Sequence, residues 1–225
     1  MWKEIWSLLS NQESLLSEAY EQAASMLELD RRMFSMVLDG LEKGDGEKVL
    51  DELREMDLVL NDKQQEIRKK VFEHLAVSRG QNLMSGLVLV SIVIDLERIG
   101  DYTKNIGELV TLFPGSVSEG ELGDLLREQS ARGREIFELA RKALVDQDAA
   151  AAKQCMDLSY EVSLASDGAL DAIVGGAKDD ASVSKDDLAM VLLLRYLKRV
   201  SAHLKNIASS TVASFPRIGY ALEES

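Results

Sequence analysis

Two carboxylates four residues apart, Glu97 and Asp101, are the side chains in this sequence best spaced for chemistry. On a helix that spacing puts both on one face, one turn apart, with Glu108 further along the same stripe. Asp57 and Asn61 repeat the spacing, and so do Asp157 and Glu161. Like charges at this separation destabilise a helix unless something binds them, and oxygen donors suit hard cations and iron. The plainer alternative is a solvated face on which Lys104 offsets the acids. Spacing alone favours that alternative.

The remaining chemistry-bearing residues narrow the function classes. No nucleophile sits beside a base, and no HExxH, Walker loop or GxGxxG is present. His74 and His203 lack the ExxH companions that ferritin-like di-iron sites need, and His203 reads as a core or boundary residue. Cys155, the single cysteine, has a helical setting and reads as a small buried hydrophobe. The formal charge of −13 argues against nucleic acid and against an anionic membrane surface, and is compatible with a cation as partner. The longest charge-free run, 81–94, is too short for a membrane span, which needs about 20 residues. No secretory signal is evident at the start of the sequence, and a reducing cytoplasm is the expected compartment.

The elements that must position the carboxylates are helices. Only two prolines in 225 residues, few aromatics, and much Ala, Leu, Glu and Met favour long uninterrupted ones. Periodicity and breakers predict six: 11–43, 47–77, a third from Gly80 to 113, 119–145, 148–174 and one from an N-cap at Ser184 to 214. Gly175-Gly176 is expected to stop the fifth, and Trp2, Ile5, Trp6 and Leu9 to form an amphipathic turn packed on the bundle. The methionines at 26, 33, 36, 56, 84, 156 and 190 are expected in the core. Such helices pack as antiparallel bundles.

The order repeats. Helix three aligns with helix six at an offset of 101, with Leu96, Arg98, Lys104, Asn105 and Ile106 opposite Leu197, Arg199, Lys205, Asn206 and Ile207. Helix two aligns with helix five at an offset of 100, Met56-Asp57-Leu58 opposite Met156-Asp157-Leu158. The expected fold is therefore all-α, two tandem three-helix bundles spanning 1–115 and 116–225.

Leu96-Glu97-Arg98-Ile99-Gly100-Asp101 followed by Asn105-Ile106 resembles the signature of the PhoU family. The resemblance covers nearly the whole chain and implies tandem three-helix bundles whose E(D)xxxD pairs hold iron or other metal clusters. It implies a non-enzymatic cytoplasmic regulator of phosphate transport, a homodimer whose partners are a membrane phosphate transporter and a sensor histidine kinase. Glu97 and Asp101 match one motif fully, whereas Asn61 replaces a carboxylate opposite Asp57. In the second repeat Asp157 and Glu161 keep a pair, but its partner motif has become Lys198 and Ala202. An ammonium cannot ligate, so the first repeat is expected to keep a weakened site and the second none, with Lys198 pairing to Asp157 or Glu161. The alternatives are a metal-dependent phosphohydrolase, a metal store using the same carboxylates, and an adaptor whose metal sites have decayed.

Overall fold

The computed structural model describes residues 12–43, 46–112, 120–177 and 184–221. Among the described residues six α-helices follow one another: α1 Gln12–Lys43, α2 Gly46–Val77, α3 Leu83–Leu112, α4 Gly120–Asp146, α5 Ala149–Ala177 and α6 Lys185–Ser209. The longest, at 32 residues, are about 48 Å from end to end. Expected and observed boundaries agree closely at most ends. Ser184 caps α6 through a full capping box, its hydroxyl accepting from the Asp187 N–H while the Asp187 carboxylate accepts from the Ser184 N–H. Asp148 caps α5 by accepting from the N–H groups of Ala150 and Ala151.

Two ends differ. Helix α5 runs through Gly175-Gly176 to Ala177, because glycine costs a helix only about 1 kcal/mol and neither residue takes a positive φ there. Helix α6 ends at Ser209, not Ser214. The Ser209 hydroxyl accepts the Gly219 N–H, and the chain folds back through a 3-10 turn at Phe215–Arg217. The expected N-terminal turn and the boundary between the two repeats lie outside the described residues.

Within each repeat the three helices pack against one another, and α3 against α6 and α1 against α4 join the repeats. One continuous hydrophobic core results. Phe34 of α1 and Phe137 of α4 meet at its centre with ring centroids 5.0 Å apart. Helix α3 is packed by α1, α2 and α6, which accounts for the apolar character of its sequence. Of the methionines, 26, 33, 56, 156 and 190 are buried, Met36 is half-buried, and Met84 is exposed near the start of α3.

Burial defines the register of the duplication. Helix α3 matches α6 at 101, since Leu89, Ile92, Leu96, Ile99 and Gly100 share burial with Met190, Leu193, Leu197, Val200 and Ser201. Helix α2 matches α5 at 99 rather than 100, with Leu53, Met56, Leu60 and Ile67 taking the places of Ala152, Cys155, Ser159 and Ser166. On that register the counterpart of Asp57 is Met156.

Candidate functional site

Helices α2 and α3 bring the first-repeat residues together. Leu53, Leu60, Ile67 and Val71 turn the apolar side of α2 inward, as Ile99, Ile106 and Val110 do for α3. Asp57 and Glu97 are left at the seam between the helices. Asp57 is almost buried at 7% exposure, Glu97, Asp101 and Asn61 half-buried.

A lysine sits among them. Lys104 Nζ donates to Asp57 Oδ2 at 2.6 Å and to Asp101 Oδ1 at 3.3 Å. Arg98 closes the outer edge, 3.0 Å from Asp101 and 3.5 Å from Glu97. Burial works against the Lys104 ammonium, but its bonds to Asp57 and Asp101 override it and hold the lysine pKa above its usual value. Glu97 is pushed up by burial and by repulsion from Asp101 and Asp57, against the opposing pull of Arg98 and Arg68. Among the described residues no three His, Cys, Asp or Glu side chains converge as they stand to hold an ion.

A fourth carboxylate, which the spacing argument did not single out, lies beneath this group. Asp30 of α1 is fully buried, and neither of its oxygens finds a hydrogen-bond partner among the described residues. Burial drives its pKa well above the usual carboxyl range, and Asp57 and Glu97 push it the same way. Gly100 leaves the space it needs, since a Cβ there would stand 3.3 Å from Asp30 Oδ1 and overlap Leu60 Cδ1. The sequence did carry a signal. Asp30 occupies a core position in the stripe Met26, Met33, Val37, where an acid is out of place.

The second repeat is built differently. Asp157 and Glu161 are exposed, and Glu161 pairs with Arg132 at 2.7 Å. Lys198 grips Asp167 with both carboxylate oxygens at 2.6 and 2.7 Å, not Asp157 or Glu161 as the sequence suggested. The cause is the register of 99, which turns Asp157 outward and brings Asp167 alongside Lys198. The counterpart of Asp167 on α2 is Arg68, which acts on Glu97. The two matching positions thus carry opposite charges in each repeat with the signs exchanged, and in the second repeat they close into an ion pair.

Between the repeats, Asp95 of α3 accepts at a single oxygen from Asn206 at 2.8 Å and meets His203 Nδ1 at 2.7 Å. His203 stacks on Tyr102 with centroids 5.6 Å apart, so it is a boundary residue with a defined partner.

The model of the PhoU domain matches this chain twice, over residues 23–110 and 126–211. The chain belongs to the PhoU family. A curated relative is the phosphate-specific transport system accessory protein PhoU homolog of Clostridium acetobutylicum, 23% identical over 210 residues, covering 89% of this chain and 92% of that protein. The crystal structure of PhoU from Pseudomonas aeruginosa superposes with a TM-score of 0.79 at 22% identity, covering 89% of this chain and 96% of that one. The phosphate transport system regulatory protein PhoU from Streptococcus pneumoniae superposes at 0.77 with 19% identity, covering 89% and 95%. Both share the all-α bundle fold. As in the sequence reading, no described helix of this PhoU-family chain is long and apolar enough to cross a membrane.

Proposed function

We propose that this chain is a non-enzymatic accessory or regulatory protein of phosphate transport, acting in the cytoplasm. It works as a homodimer whose partners are a membrane phosphate transporter and a sensor histidine kinase. The observation that carries this reading is the double match to the PhoU domain, over segments that reach into all three helices of each repeat. Deleting the gene and measuring phosphate uptake tests it. Uptake that no longer responds to external phosphate supports the role, and unchanged regulation overturns it.

The first repeat carries the metal-binding part of the proposal. Asp57, Asn61, Glu97 and Asp101 offer hard oxygen donors from two adjacent helices, a donor set suited to iron or another divalent cation. A bound ion would neutralise the carboxylates and present open positions to phosphate oxygens. The orphaned oxygens of Asp30 favour this fit, and closing the donors on an ion requires Lys104 to leave. The second repeat holds no ion in this scheme, because Lys198 and Asp167 already satisfy each other. Elemental analysis of protein purified without chelator is the check: metal lost on changing Glu97 and Asp101 to Ala supports the site, and unchanged metal content sinks it. Phosphatase turnover that depends on added metal and disappears in Glu97→Ala would reassign the same carboxylates to a hydrolase.

A further inference from the structure

Three helices contribute carboxylates to the first-repeat cluster, Asp30 from α1, Asp57 from α2, and Glu97 and Asp101 from α3. Among the described residues, Lys104 is the ammonium that bonds to them, at Asp57 and Asp101. It satisfies Asp57 and Asp101 and leaves Asp30 untouched. A fully buried carboxyl with no protein donor is costly to keep, and natural cores seldom tolerate one without a use.

We propose that Lys104 is the resident cation of this site, that a divalent cation displaces it, and that Asp30 then becomes the buried ligand supplied by α1. The inference rests on the metal-binding reading above and adds the regulation of that site. Its physical basis is local. The Lys104 side chain retains 22% exposure, and its flexible four-carbon stem can carry the ammonium out to solvent. A divalent ion brings twice the charge to the same carboxylates and can bind several oxygens at once. Gly100 keeps the path between Asp30 and the α3 turn clear, where any Cβ would press on Asp30 Oδ1 and Leu60.

The second repeat supports the pairing of Asp30 with the cluster. By burial α4 matches α1 at an offset of 103, Met33 with Ile136 and Phe34 with Phe137, so Gly133 stands where Asp30 does. Ser201 replaces Gly100, and its hydroxyl donates to the Lys198 carbonyl. Where the acidic cluster is lost, the buried acid and the clear path are lost with it. The architecture of the repeat does not require Asp30.

The test is Mn2+ titration of the full chain by calorimetry after chelator treatment, comparing wild type with Lys104→Met, Asp30→Asn and Glu97→Gln, all checked for folding by circular dichroism. Lys104→Met is expected to bind Mn2+ at least tenfold more tightly than wild type, Asp30→Asn at least tenfold more weakly. Mn2+ should also raise the melting temperature of Lys104→Met more than that of wild type. If Glu97→Gln loses Mn2+ while the other two variants bind like wild type, the metal site stands and this inference is overturned. Tight binding by Lys104→Met with Asp30→Asn unchanged overturns the ligand role of Asp30. If neither wild type nor Lys104→Met binds Mn2+, or if Glu97→Gln binds like wild type, the metal-binding reading itself falls and takes the inference with it. The transport role is judged separately by the uptake assay.

Discussion

Replacing Asp95 by Ala should loosen the joint between the repeats. One carboxylate oxygen serves two partners from the other repeat, Asn206 Nδ2 at 2.8 Å and His203 Nδ1 at 2.7 Å, and the Asp95 side chain is only 13% exposed. Hydrogen bonds to a charged group are each worth about 1.5–3 kcal/mol, and a half-buried donor left unpaired adds part of its desolvation cost. Two bonds to the same oxygen share its lone pairs, so the sum falls short of twice the single value, at about 2–4 kcal/mol. Urea denaturation followed by circular dichroism measures it, with Asp95→Asn as the variant that keeps an acceptor oxygen and should lose less. A further signature is expected. With the α3–α6 joint weakened, the transition should broaden as the repeats begin to melt separately. A loss below about 0.5 kcal/mol for Asp95→Ala would refute the reasoning, because it would mean that packing at the seam, not the Asp95 bonds, couples the repeats.

Gly100→Ala should destabilise the fold by about 1–3 kcal/mol by thermal melt, since the helix-propensity gain of about 1 kcal/mol is outweighed by overpacking against Leu60 and Asp30. Asp30→Asn should gain on wild type as pH rises. Burial, with Asp57 and Glu97, raises the folded-state pKa of Asp30 above its unfolded value of about 3.9, so the stability this group contributes is present in full below that value and is lost as pH climbs toward the folded pKa. Equal pH profiles for the two proteins in urea titrations count against that account. Cys155, fully buried with burial pushing its thiol pKa up to about 12, should resist thiol reagents in the native protein and react only on unfolding, monitored by absorbance of the released thiolate.

Much of the fold was legible because its signals are local. Scarce proline, turn residues and 3.6-residue periodicity place helix ends within a few residues, and the duplication is visible in identities such as Lys104-Asn105-Ile106 and Lys205-Asn206-Ile207. Register was less legible. Three identical letters, Met-Asp-Leu, align α2 with α5 at 100, while the core that decides burial uses 99. Identity records ancestry, whereas burial depends on how far each helix is rotated, and no local pattern states that angle. The site was half legible for the same reason. Glu97 and Asp101 are visible through their spacing, but Asp30 joins them only through packing of α1 across Gly100. The Lys198–Asp167 pair depends likewise on the rotation of α5.

The one-position difference in the register of α5 has a consequence for how such proteins diverge. A single residue gained or lost in a connection turns the following helix by about 100°, carrying every side chain on it to a new face. A ligand face can thus be moved to the surface by one insertion or deletion, before any carboxylate is substituted. Asp157 is still an acid and stands exposed, as such a step would place it. Substitutions such as Lys198 and Ala202 can then accumulate on a face whose acids no longer converge, while the shared core keeps the two halves joined.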